Sequence, residues 1–209
     1  ILANEDASSV AIIGSGVQAR TQLEAVCAVR DIQQVRVFSP TRENAENFAA
    51  EMSGQGMIPA LIDVENSAND AIADADIICT ATTSLSPVFD GNLLKPGVHI
   101  NAVGSYMPTM QEVDEVTLQK SRIYVDSYES VFEEAGEIII ALQNGAISED
   151  DLYAELGEVI NGKKNRRQSP DDITYFKSCG VAVQDAIAAS IALQNAEAMD
   201  IGTLLDMDS

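Results

Sequence analysis

The sequence predicts an α/β fold: a doubly wound parallel sheet with helices on both faces and further helices at its C-terminal end. Three observations carry that expectation. Val10-Ala11-Ile12-Ile13 is an uninterrupted apolar run, as a strand buried on both faces should be, and it breaks into Gly14-Ser15-Gly16-Val17-Gln18-Ala19, a G-x-G-x-x-A turn. Beyond the turn, Ala19, Leu23, Val26 and Cys27 recur at the spacing of one helix face. Short apolar runs and helical stretches then alternate along the chain, as βα repeats do.

Taken in order, residues 1–9 form a polar lead-in, too short to be a domain, and residues 10–145 read as a dinucleotide-binding domain. In the first turn Gly14 permits the sharp bend, Gly16 lets backbone approach a pyrophosphate, and Ala19 keeps helix and strand close. Ser15, Val17 and Gln18 lie beside the phosphates, facing the free N–H groups of the helix start. A glycine turn with no ligand is the alternative. Gln34–Phe38 is the second strand, followed by Ser39-Pro40-Thr41-Arg42 and a helix through Met52. No acid stands at the end of that strand to accept from two ribose hydroxyls. Ser39, Thr41 and Arg42 offer hydroxyls and a guanidinium instead, which suits a 2′-phosphate and hence NADP(H) over NAD(H). A turn and helix cap is the other reading of these residues.

Met57–Ile62 reads as a third strand, Glu65–Ala75 as a short helix and Ile77–Thr80 as a fourth strand. Thr80, Ala81, Thr82 and Ser84 form a small, hydroxyl-rich run at that strand's carboxyl end, where ligands of open parallel sheets sit; a solvated loop fits them as well. Val98–Gly104 is a fifth strand carrying His99, expected to be structural, and Tyr106 at the tip is better placed for chemistry. Met110–Gln119 reads as a helix, Ile123–Asp126 as a sixth strand, and the stretches 131–142 and 152–160 as helices. Residues 146–209 are expected to complete the sheet through Ile173–Lys177 and to end in an Ala-rich helix through about Met199. So little charge on that helix predicts burial over much of its circumference, with a partner for Asp185. The basic run Lys163-Lys164-Asn165-Arg166-Arg167 reads as an exposed loop.

Composition narrows the partners. A formal charge of −21 on 209 residues repels nucleic acid, and the acid excess suits solubility or a salt-rich cytoplasm. No window is long and apolar enough to span a membrane, and the start lacks the features of a signal peptide. Cys27, Cys79 and Cys179 are isolated, so neither a disulfide framework nor a metal site is expected, and a cytoplasmic location fits.

Gly14-Ser15-Gly16-Val17-Gln18-Ala19-Arg20, Thr80-Ala81-Thr82, Ile100-Asn101-Ala102-Val103-Gly104 and the run from Phe176 to Asp185 together resemble the ornithine cyclodeaminase/μ-crystallin family. The resemblance covers the chain from about Val10 onward. It implies a Rossmann-type sheet, NAD(P)-dependent chemistry at a carbon bearing an amino or imino group, a small amino- or imino-acid substrate and a homodimer. It further implies a substrate and dimerisation domain built from residues before and after the nucleotide-binding domain, so that this chain is the cofactor half. By the same resemblance Val103, Gly104, Ser178 and Gly180 lie along the cofactor. Where ornithine cyclodeaminases carry an aspartate, this sequence has Tyr106, a poor base that can donate a hydrogen bond or proton. That departure points to the NADPH-dependent ketimine reductases. An NAD-dependent ornithine cyclodeaminase or alanine dehydrogenase, and an NADPH-regulated binding protein without turnover, are the alternatives.

Overall fold

The computed structural model describes residues 1–203 and 205. Along the chain run β1 (Ser9–Ile13), α1 (Val17–Val29), β2 (Gln34–Phe38), α2 (Arg42–Met52), β3 (Ile62–Val64), α3 (Ala68–Ile72), β4 (Ile77–Thr80) and β5 (His99–Ala102). After them come α4 (Glu115–Lys120), β6 (Ser121–Val125), α5 (Tyr128–Glu134), α6 (Gly136–Gln143), β7 (Leu152–Glu155), α7 (Leu156–Ile160), β8 (Ile173–Lys177) and α8 (Ala182–Ala198). The strands form one sheet in the order β3-β2-β1-β4-β5-β8-β6-β7, and every pairing is parallel. The order reverses direction between β1 and β4, which opens a crevice at their carboxyl ends.

Alternation along the strands divides the core. Val10 and Ile12 of β1 pack with Leu23 of α1 and Phe48 of α2 on one face. Ala11 and Ile13 join Ile72 of α3, Val131 of α5 and Ile138 of α6 on the other. Both faces are therefore covered, which is why the strands read as near-continuous apolar runs. Arg167 ties the lead-in to the sheet: its guanidinium donates to the Leu2 carbonyl at 2.9 Å, to the Gly97 carbonyl at 3.1 Å and to Thr174 Oγ1 at 3.2 Å. The basic loop is exposed as expected up to Arg166, and Arg167 is the exception because these acceptors hold it.

Four local expectations are corrected. The third strand is Ile62–Val64, not 57–62: Pro59 has no N–H for a ladder, Met57 and Leu61 are exposed, and Ile62 is the residue that pairs with Val35. The helix expected from Met110 begins only at Glu115, where Asp114 caps it by accepting from Thr117 N–H at 2.8 Å. The helix over 131–142 is two helices divided at Ala135, where Gly136 N–H donates to Ser105 Oγ at 3.1 Å. Leu152–Glu155 is an edge strand and not helical; Leu152 and Ala154 alternate inward while Tyr153 and Glu155 are half-buried.

The chain divides into two compact units, Ile1–Cys179 with the whole sheet and a second from Gly180 onward that holds α8. No residue of α8 is buried, Asp185 is exposed, and Val183, Ile187, Ile191 and Leu193 are each more than half exposed. Within the second unit, and among the described residues, the helix shows neither the expected burial nor an ion-pair partner for Asp185. Val183, Ile187 and Ile191 recur at i, i+4 and i+8 and so share one face of the helix, which is exposed in this chain. Among the described residues, no helix is long and apolar enough to cross a membrane, and no cluster of His, Cys, Asp and Glu is arranged to hold a metal.

Candidate active site at the sheet's switch point

The crevice between β1 and β4 is a cleft in two adjoining parts. The larger, about 590 Å³, has Gly14, Ser15 and Gly16 on one wall, Ser39 at the end of β2, and Ala81, Thr82 and Ser84 beyond β4. The smaller, about 460 Å³, adds Val17, Gln18, Val103, Gly104, Tyr106 and Cys179, and shares Gly16, Ala81 and Thr82 with the first. Both volumes are those of small-molecule sites.

The turn between β1 and α1 is built for close approach. Gly14 sits at φ +108°, and a Cβ there would stand 2.4 Å from the Ala81 carbonyl oxygen, so β1 and the loop after β4 meet directly across it. Gly16 differs, since a Cβ there would meet nothing within 4 Å. It caps α1 without a side-chain hydrogen bond, and the first turn of α1 carries no acid. The first N–H groups of α1 thus have no side-chain acceptor, an arrangement suited to an anion. Ser15 and Ser39 place their hydroxyls 3.2 Å apart beside this turn.

Arg20 is the cation of the larger part. Its guanidinium grips Glu51 at 2.5 and 3.0 Å, donates to the Gly16 carbonyl at 3.1 Å and to the Ser15 carbonyl, and stacks over Phe48. It therefore ties α1, α2 and the glycine turn together. Glu51, Asn44 and Asn47 of α2 complete the polar lining.

Beneath the smaller part lies Glu112, with no solvent exposure. Its carboxylate accepts from Thr82 N–H at 2.6 Å, from Thr80 Oγ at 2.8 Å and from Gly104 N–H at 2.8 Å. Burial pushes its pKa up against the opposing pull of the Thr82 amide, the Lys177 charge and the Thr80 hydroxyl. Asp126, directly after β6, accepts from Ser178 Oγ at 2.8 Å and from Cys179 N–H at 2.9 Å, which fixes the loop that leaves β8 and carries the Cys179 thiol; burial raises that thiol's pKa to about 11. His99 bonds through Nδ1 to Thr174 Oγ1 at 2.8 Å and through Nε2 to Asn101 Oδ1 at 2.9 Å, away from the cleft lining.

The cleft gathers Gly14, Ser15, Gly16, Val17, Gln18, Ser39, Ala81, Thr82, Ser84, Val103, Gly104 and Tyr106 from the sequence-based set. Five others are not in its lining. Thr80 is buried under the floor on Glu112, and Ser178 is turned to Asp126. Thr41 is exposed at the start of α2, and Arg42 is held by Glu46 and Asn66, each at 2.8 Å, outside the lining. Gly180 belongs to the second unit. Sequence reasoning passed over Arg20, Asn44, Asn47, Glu51 and Glu112. The helical spacing from Asn44 to Glu51 was the available signal for the α2 residues.

The model of the ornithine cyclodeaminase/mu-crystallin family matches residues 1–200. A Delta(1)-pyrroline-2-carboxylate reductase of Bacillus cereus is 40% identical over 206 residues, which cover 98% of this chain and 62% of that protein. The solved Thermococcus litoralis Delta(1)-pyrroline-2-carboxylate reductase, in complex with NADH and L-proline, superposes with a TM-score of 0.94 at 43% identity, over 98% of this chain and 62% of that one. An archaeal alanine dehydrogenase dimer with bound NAD gives a TM-score of 0.91 at 34% identity, over 99% and 62%. The chain thus spans 62% of the length of each of these relatives. Its sheet order, its glycine turn at the switch point and the match over residues 1–200 together make it a member of the ornithine cyclodeaminase/mu-crystallin family.

Proposed function

We propose that this chain is the nicotinamide-dinucleotide-binding part of a reductase acting on cyclic imino acids. The observation that carries the reading is the two-part cleft across the switch point, whose larger part holds an uncapped helix start behind Gly16 and whose smaller part ends at Tyr106. The residues fit the cofactor: Gly14, Ser15, Gly16 and the first amides of α1 would hold the pyrophosphate, with Ser39 near the adenosine ribose. Ala81, Thr82, Ser84, Val103 and Gly104 would line the way to the nicotinamide. The names of the Bacillus cereus and Thermococcus litoralis relatives support pyrroline-2-carboxylate, or an imine of that class, as substrate.

When bound, the dinucleotide supplies a hydride to the imine carbon. The protein's share is to orient both reactants and exclude water, and Tyr106, half exposed at the rim, is placed to donate a hydrogen bond or a proton. A preference for NADP(H) is part of the proposal. It rests on Ser39 standing where an acid would read the ribose, and on Arg42, whose exposed pair with Glu46 is of the weak surface kind and open to exchange for a 2′-phosphate. The apolar residues of α8 and the dimeric archaeal relative support a homodimer.

Fluorescence titration with NADPH and NADH tests the cofactor, with NADPH expected to bind at least about tenfold tighter and Arg42→Ala expected to remove most of the difference. NADH binding tenfold tighter than NADPH overturns the preference, and binding of neither overturns the reading. Turnover of Delta(1)-pyrroline-2-carboxylate by the native polypeptide that contains this chain tests the substrate. Tight dinucleotide binding without turnover would favour a regulatory binding protein.

A further inference from the structure

We propose that Glu112 is the positioning residue of the nicotinamide half of the cleft, setting the spacing of two of its lining loops through the hydrogen bonds it accepts from both loop amides while never meeting the ligand. The inference rests on the dinucleotide reading above and deepens it. Thr82 and Gly104 both line the smaller part of the cleft and are in direct contact, one in the loop after β4 and the other in the loop after β5. No backbone ladder runs between them at that level, because the pairing of β4 with β5 ends at Thr80 and Ala102, with one further bond from Val103 N–H to the Thr80 carbonyl. Beyond it, both loops are fastened to the same buried carboxylate. One oxygen takes the Thr82 amide, and the other takes the Gly104 amide and the Thr80 hydroxyl.

The fit around Glu112 is close on every side. A Cβ at Gly104 would lie 2.3 Å from Glu112 Oε1 and 2.3 Å from the Thr82 carbonyl oxygen, so loop, loop and carboxylate are in mutual contact. Both amides can only donate, and therefore each carboxylate oxygen must accept. A glutamine at this position defeats the arrangement in either orientation: its NH2 would oppose the Thr82 N–H in one and the Gly104 N–H in the other. Side-chain volume is kept, but one wall is released.

The test compares NADH with ADP, which shares the adenosine-side groups but has no nicotinamide. In Glu112→Gln, NADH affinity is expected to fall at least about tenfold, as loss of a charge-assisted hydrogen bond implies, while ADP affinity stays within about threefold. Thr80→Val removes one donor but keeps both loop amides on the carboxylate, and it should leave NADH affinity within about threefold. Equal losses for NADH and ADP, no loss for either, or a Thr80→Val loss as large as that of Glu112→Gln would each overturn the role of Glu112. Failure of the wild-type chain to bind ADP, NADH and NADPH overturns the dinucleotide reading and this inference with it; should NADPH alone bind, the same comparison is made between NADPH and adenosine 2′,5′-bisphosphate. Should Glu112→Gln not fold, amide exchange of the wild-type chain decides: Thr82 and Gly104 are expected to be slowed at least about a hundredfold, and exchange near the free-peptide rate overturns the proposal.

Discussion

The Lys177 ammonium lies 3.2 Å from a carboxylate oxygen of Glu137, and neither side chain has any solvent exposure. The contact is Coulombic more than directional, since Lys177 Nζ makes no aligned hydrogen bond and the second Glu137 oxygen has no partner. Tyr175 Oη donates to the first oxygen at 2.8 Å. Removing the cation alone strands a buried negative charge, so Lys177→Met should cost about 3–5 kcal/mol in urea unfolding. Adding Glu137→Gln, which removes the charge but keeps an acceptor for Tyr175, should restore part of that loss. A double variant no more stable than the single one would refute the electrostatic account.

Asp76 is a second anchor, on the surface. Burial alone would raise its pKa, but Lys95 at 2.6 Å, together with Ser8 and Ser9, pulls it down to about 2. A depressed folded pKa means the contribution is whole above the unfolded value of about 3.9 and is lost as pH falls through about 2. Asp76→Asn should therefore lower the urea midpoint at neutral pH, with the gap from the parent closing across that acid window. A gap independent of pH would exclude the linkage.

His99 should remain neutral well below its usual pKa. Burial lowers it to about 4, against the hydrogen bond that Nε2 makes to the Asn101 Oδ1 acceptor. The unfolded chain takes up a proton near pH 6.5 and the folded one does not until about 4, so this residue destabilises the fold progressively as pH falls between those values. Because it is the only histidine in the chain, its imidazole resonances can be followed singly by NMR, and titration near 6.5 in the folded protein would contradict the prediction.

Gly14 and Gly16 should separate folding from binding. Gly14→Ala places a Cβ against the Ala81 carbonyl at a positive φ and should destabilise by at least about 2 kcal/mol. Gly16→Ala meets only open space and should leave stability within about 0.5 kcal/mol, while NADH affinity drops about tenfold or more because the methyl stands where backbone must approach the pyrophosphate. Thermal melts and a fluorescence titration read the two effects separately. Normal NADH affinity in Gly16→Ala would place the pyrophosphate elsewhere.

Much of the fold was legible because a sheet covered on both faces writes its strands as near-continuous apolar runs, as β1 and β4 do, while β2 shows alternation of apolar and polar residues. Where packing outweighed local preference, the reading slipped. Leu152–Glu155 carries helix-favouring residues, yet Leu152 and Ala154 are drawn inward by pairing with β6. The glycines and hydroxyls of the cleft were readable because their position at strand ends follows from the topology. Glu112 was not, since its burial is made by loops that converge from residues 80–82 and 104, and an acid in a stretch with helical character looks solvated from sequence alone. Arg42 shows the converse limit: it stands four residues after Phe38, but sequence position says nothing of direction, and Glu46 and Asn66 hold its guanidinium outside the cleft lining.

The place of β8 also bears on how the chain is made. Among the described residues it is the last strand in sequence, but it lies in the interior of the sheet, between β5 and β6. Its Thr174 and the His99 beside it on β5 are separated by 75 residues. During synthesis, therefore, β1 to β5 can assemble on one side and β6 with β7 on the other, each leaving an unpaired edge until Lys177 has emerged from the ribosome. Such edges are sticky templates, and joining across so long a loop is slow. The keystone of this sheet follows β6 and β7 in the chain, so its two halves can join only after both have been translated.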